Sequence, residues 1–201
     1  MRPGSAEDGA RGPRSDALVN RRRLLDAATV AVHREGTAVP MATVASDAGV
    51  GVGTLYRHFA TRDALLDELT YRSFELVLAN VVAAAAAGGT GLSGVDRFID
   101  TAIGHRDQLV LPLGGGPPIA TERTRALRDE VHRRLQRLID RGVADGSIRD
   151  GVTARDVVFF GGMLAQPSRP GRAWTTAARR LKDIFVLGLA RPRDEGVSPP
   201  G

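Results

Sequence analysis

The densest set of side chains able to do chemistry lies between residues 40 and 69, PMATVASDAGVGVGTLYRHFATRDALLDEL. Thr43 and Thr54 carry small hydroxyls that reach a phosphate or a base edge. Arg57 can take either, and Val52 can meet a thymine methyl group in the major groove. Ala45, then Gly49 four residues on, then Leu55, is the spacing of two short helices crossing at a glycine turn. A side chain larger than Ala45 would hold the helices apart. Gly49 can take the positive φ that reverses the chain, and Val44, Ala48, Val50 and Leu55 supply an apolar wedge. Taken alone, the spacing describes either a helix-turn-helix or two core helices joined by a glycine turn, and it leaves both open.

Other chemistries lack their residues. Cysteine is absent, which excludes disulfides, thiolate nucleophiles and Cys-ligated metals and suits a reduced cytoplasm. His33, His58, His105 and His132 show no metal-ligand spacing. No nucleophile motif or acid pair stands out, so neither an enzyme nor a cofactor or metal is expected. GGGPP (114–118) lacks the Lys and Ser/Thr of a phosphate loop and reads as a connector. The Arg-rich stretch 123–141 interleaves Glu122, Asp129, Glu130 and Asp140 and reads as a solvated, salt-bridged face. No apolar run spans a membrane. The net charge of +5 suits a polyanion partner but is shared by many proteins, and 27 of the 28 basic residues are Arg, which reflects codon usage.

These groups must be positioned by helices. Apolar residues recur at three- and four-residue spacing and aromatic content is 4%, so an all-α fold of about nine helices is expected. A first helix is predicted from about Asp16 to Glu35, ending at Gly36, then short helices over 41–48 and 52–59. Thr61 caps a long helix ended by Gly88, Gly89 and Gly91. Further helices are expected over about 93–110, 121–144, 153–165 and 172–189. Residues 1–15 read as a disordered arm and 192–201 as a disordered tail. Between them lie an N-terminal three-helix domain over 16–62 and a C-terminal helical bundle over 63–191.

AGVGVGTLYRHFATRDALL closely resembles the signature of the TetR family of bacterial transcription regulators, and RRRLLDAA (21–28) resembles the start of that family's first helix. The resemblance covers about residues 18–69, and the remainder matches in layout, with stretches near TARDV similar to the C-terminal domain of SbtR-like members. It implies DNA contacts by Arg21, Arg22, Thr43, Val52, Gly53, Thr54, Tyr56, Arg57, His58 and Arg62. Tyr56, His58 and Arg62 match phosphate-contacting positions. Few of these side chains read bases, so part of the specificity is expected from DNA shape. One departure is Pro40, where the family often has a Thr or Ser cap; Pro suits a first helical turn.

The resemblance further implies a cytoplasmic homodimer on a palindromic operator, probing two major grooves about 34–36 Å apart. It implies a repressor released by an unknown small-molecule effector that enters the bundle and shifts the fourth helix. The rival readings are an activator or ligand-insensitive regulator, and a helical-bundle carrier or enzyme with a vestigial helix-turn-helix. Phe98, His105, Leu109, Leu113, Leu135, Phe159 and Met163 are expected to line the ligand site, beside the glycine loop. The last two helices are more apolar than one face requires. Either they are buried within one subunit or, as the resemblance implies, Val157, Phe160, Leu164, Ile184, Phe185 and Leu187 form a four-helix interface between two copies.

Overall fold

The structure is a computed structural model and describes residues 13–113, 116–165 and 172–192. The arm before residue 13, the tail after 192, Gly114 and Gly115 of the glycine loop, and the QPSRPG loop (166–171) lie outside the described residues. The described chain carries eight α-helices and one 3-10 turn: α1 (Pro13–Glu35), α2 (Met41–Asp47), α3 (Val52–His58), α4 (Arg62–Ala86), α5 (Gly91–Gly104), the 3-10 turn (Arg106–Gln108), α6 (Glu122–Ala144), α7 (Ala154–Ala165) and α8 (Arg172–Leu189). Among the described residues the sole β-type pairing is an isolated bridge between Ile148 and Ala190. No described helix is long and apolar enough to cross a membrane.

The chain divides into two compact units, Met1–Leu65 and Leu66–Gly201. In the first, Leu24, Leu25, Ala28, Ala31 and Val32 are buried along α1 at the spacing of one helical face. Gly36 ends α1 at a φ of +83°, its N–H donating to the Val32 carbonyl. Ala45 and Leu55 are fully buried where α2 meets α3. Gly49 sits between them at a φ of +68°, and the Val50 N–H closes the turn on the Ala45 carbonyl at 3.0 Å. Pro40 is the N-cap of α2, with an extended ψ of 140°, rather than its first helical residue. α1 also starts three residues before the expected Asp16, at Pro13, a residue suited to a helix start.

The N-terminal cap on α4 is set at the end of the first unit by Thr61, whose Oγ1 accepts from the Ala64 N–H at 3.0 Å. In the second unit lies the remainder of α4 and all that follows it. Gly88 and Gly89 end α4 at positive φ, but Gly91 opens α5 instead of closing α4. A Cβ on Gly91 would lie 2.2 Å from the Gly142 Cα, so only glycine lets α5 cross α6 this closely. α5 stops at Gly104, short of the expected Val110, because the chain tightens into the 3-10 turn. The Ser73 hydroxyl on α4 then accepts the Val110 N–H at 2.8 Å. Buried Asp67 on α4 accepts from the hydroxyls of Thr121 and Thr124, fixing the start of α6. Lys182 on α8 is buried with its ammonium 2.9 Å from Asp96 on α5. A single apolar core follows, formed by residues such as Val81, Ile99, Ile103, Leu135, Ile139 and Val157.

Candidate functional site

In the first unit, α3 turns its apolar side inward through Leu55 and leaves its polar and small residues outside. Val52 is 40% exposed, although its side chain gains nothing from water, and Tyr56 is 48% exposed. Gly53 and Arg57 are exposed, and Thr54 and His58 half-buried. The Arg57 guanidinium folds back along α3, donating to the Thr54 hydroxyl at 3.0 Å and the Gly53 carbonyl at 3.3 Å. Thr54 and Arg57 therefore present as a pair. Tyr56, Thr61 and Arg62 border one shallow depression together with Met41 and Asp63. Arg62 is steadied there by its bond to the Ala38 carbonyl at 3.1 Å. Thr43 on α2 is half-buried and Arg22 on α1 exposed.

Arg21 has a different environment. Its guanidinium lies 4.5 Å from the Phe59 ring centroid and its Nη1 donates to the His58 carbonyl at 3.5 Å. Its neighbours make it a brace between α1 and the end of α3.

The second unit contains a cavity of about 140 Å³. Phe74 and Val77 of α4 and Phe98 and Ala102 of α5 form part of its wall. Leu109 and Leu113 border it from the loop, and Val158, Gly161 and Gly162 from α7. From α6 come Arg128, Val131 and His132. Three of the seven expected lining residues, Phe98, Leu109 and Leu113, are thus brought together, and four are not. Leu135 is fully buried in the core. His105 caps the C-terminus of α5 with its Nδ1 3.4 Å from the amide of Asn80. Phe159 and Met163 lie one turn apart on α7 and are 58% and 48% exposed; the helical period that aims Val158 and Gly162 at the cavity carries them outward.

The polar members of the lining were missed, although a signal exists. Arg128, Val131, His132 and Leu135 fall at i, i+3, i+4 and i+7, one continuous face of α6 that includes two core residues. Arg128 was absorbed into the surrounding run of arginines, most of which do face outward in ion pairs such as Arg133–Glu130 at 2.7 Å. Burial, and then the nearby Arg128 cation, hold the His132 imidazole below its ordinary pKa; Asp129 opposes them, and Arg155 adds a smaller push in the same direction as Arg128.

The expected interface set also divides. Val157 and Leu164 are buried within their own unit. Phe160 and Phe185 stack on each other inside the chain, centroids 3.9 Å apart and planes 9° off parallel. Ile184 and Leu187 are 58% and 76% exposed, and Leu181, Phe159 and Met163 add to the apolar surface of the last two helices. On α7, Val157 and Leu164 therefore lie in the core, Phe160 is half-buried against it, and Phe159 and Met163 are on the surface.

Comparison with known proteins gives four findings. Residues 24–69 match the family model described as bacterial regulatory proteins, tetR family. The chain is 30% identical over 183 residues to the HTH-type transcriptional repressor KstR of Mycobacterium tuberculosis, covering 87% of this chain and 82% of that protein. It is 47% identical over 72 residues to the KstR repressor of Mycolicibacterium smegmatis, a match covering 35% of each protein, so about a third of that relative's length. The solved ketosteroid transcriptional regulator KstR2 of M. tuberculosis superposes with a TM-score of 0.67 at 18% identity, covering 86% of this chain and 95% of that one, a likeness of fold.

Proposed function

The chain belongs to the TetR family of bacterial regulatory proteins, and from that premise we propose that it is a homodimeric repressor released from a palindromic operator when a small molecule fills the α4–α7 cavity. As a DNA-binding transcription regulator it needs a groove-reading face, and the exposed Val52, Gly53, Tyr56, Arg57 and Arg62, with the half-buried Thr54, suit that task. Arg62 and Tyr56 grip phosphate and set affinity and salt dependence, while Val52 and Thr54 reach base edges. The relatives whose names describe them as transcriptional repressors favour repression over activation. The cytoplasm, where the bacterial chromosome lies, is the compartment this role requires.

One observation carries the effector reading. α4 is a single uninterrupted helix that begins at Arg62 and places Phe74 and Val77 in the cavity wall. A ligand that binds one position of α4 better than another shifts the population of DNA-competent molecules by that difference in affinity, and by nothing else. Self-association is supported by the exposed Phe159, Met163, Ile184 and Leu187, too apolar a set to leave in water.

The test is a cavity-filling variant. A Cβ on Gly161 would meet only Ile99, at 3.9 Å, so Gly161→Leu can grow into the cavity without displacing backbone. It is expected to keep operator affinity and lose release by any cavity ligand. Normal release would place the ligand elsewhere.

A further inference from the structure

The cavity has apolar walls, but its two polar side chains are not a random pair. Arg128 and His132 stand one helical turn apart on α6, and both border the same space. No Asp or Glu is among the described residues lining it. Asp129 accepts two hydrogen bonds from Arg128, from Nε at 2.9 Å and Nη2 at 2.7 Å, which leaves most of the five guanidinium N–H groups for another acceptor. A volume of about 140 Å³ sets the size of an occupant. A dry apolar cavity of roughly 150 Å³ takes benzene, so the space suits one ring or a short branched chain.

Building on the effector reading above, we propose that the cavity selects a small apolar monocarboxylate, its ring or chain among Phe74, Phe98 and Leu109 and its carboxylate between Arg128 and His132. A cationic ligand of the same shape would meet the Arg128 guanidinium with no counter-charge in the wall. A neutral one would bury the same apolar surface but gain only weaker hydrogen bonds from these groups, without a second charge to assist them. The carboxylate satisfies both, by a charge-assisted bond to Arg128 and one to a His132 ring N–H.

Protonation follows from the same geometry. Burial and then Arg128 on α6 disfavour a charged His132, Asp129 opposes them, and Arg155 on α7 adds the smallest effect, also against the charge. A bound carboxylate adds a further negative charge to that of Asp129, so binding draws a proton onto His132. Affinity therefore strengthens as pH falls from about 8 toward about 5.5, within the range where an imidazole titrates and a carboxylic acid stays ionised.

Titration calorimetry of the full chain with benzoate, benzyl alcohol and benzylamine tests this. Benzoate is expected to bind roughly tenfold or more tightly than either matched compound, the effect of one charge-assisted hydrogen bond. Arg128→Gln should remove that advantage without changing the affinity for benzyl alcohol, which a merely structural role of Arg128 would not spare. His132→Gln should flatten the pH dependence. Equal or tighter binding of benzyl alcohol or benzylamine would overturn the proposed ligand class while leaving the effector reading in place. Absence of binding by all three would overturn the proposed ligand class and leave the effector reading to the Gly161→Leu test, and an unchanged benzoate affinity in Arg128→Gln would overturn recognition of charge.

Discussion

Arg21 lies over Phe59, its guanidinium carbon 4.5 Å from the ring centroid, so the first basic residue of the RRR run ties α1 to the end of the recognition helix. Two neighbouring arginines that look alike in the sequence therefore do different work. Arg21→Ala is expected to destabilise the first unit by about 1 kcal/mol, the size of a partly desolvated cation–π contact. Arg22→Ala, at an exposed site, should stay within about 0.5 kcal/mol of the parent. Urea denaturation of both variants checks this, and equal stabilities would remove the brace.

For the phosphate-directed groups, Tyr56→Phe and Arg62→Ala should weaken operator binding while both proteins remain folded. Arg62→Ala should also reduce the magnitude of the log-affinity against log-salt slope by about one. Fluorescence anisotropy across a salt series gives both numbers. An unchanged slope would take Arg62 off the DNA.

Gly49 offers a backbone test. Its φ is +68° and a Cβ there would meet nothing within 4 Å, so the cost of substitution is conformational alone. Gly49→Ala is expected to cost about 1–2 kcal/mol, Gly49→Val more, and Gly49→Asn less, because Asn tolerates the left-handed region. A chemical denaturation series in that order is the check.

The His132 shift makes a pH prediction whose sign is fixed. Its folded pKa lies below the ordinary 6.5. Between those two values the unfolded chain binds a proton that the folded chain does not, so stability rises with pH through that window and levels off above it. Acidification below about pH 6.5 therefore lowers the melting temperature. Asp145 and Asp156, also held low by hydrogen bonds (chiefly to Ser147 and Thr153), start from an ordinary value of 3.8 and act only in stronger acid. His132→Gln should show a shallower fall in melting temperature between about pH 7.5 and about pH 5.5 than the parent.

Self-association can be separated from folding. Ile184→Glu combined with Leu187→Glu places two charges on an exposed surface, where the fold has nothing to lose. The double variant should sediment as a folded monomer and bind the operator far more weakly, since paired half-sites need paired subunits. A dimer of unchanged stability would locate the interface elsewhere.

Much of the architecture was legible because local chemistry decided it. Gly36, Gly49 and Gly146 sit at positive φ where the chain had to turn. Thr61, expected as a cap, accepts a backbone N–H at the start of α4, whereas the cap at Thr90 was hidden by reading Gly91 as the end of the preceding helix. What the sequence hid was azimuth on short apolar helices. α7 carries apolar or small residues almost all round, so periodicity could not tell Val157, in the core, from Phe159, outside. Tertiary packing decided it. The close approach of Gly91 to Gly142 and the Asn80–His105 contact join residues far apart in the chain, and no local pattern signals them. Arg128 and His132 could have been found from the α6 stripe, but a run of arginines read as surface concealed them.

The most direct measurement is selection of DNA bound by the full chain from a random duplex pool at physiological salt. A homodimeric operator-binding repressor enriches an inverted repeat whose half-sites are centred about one helical turn, or a small multiple of it, apart, with affinity that falls as salt rises. Failure to enrich any sequence over the input pool, or enrichment of a site without two-fold symmetry, would contradict it.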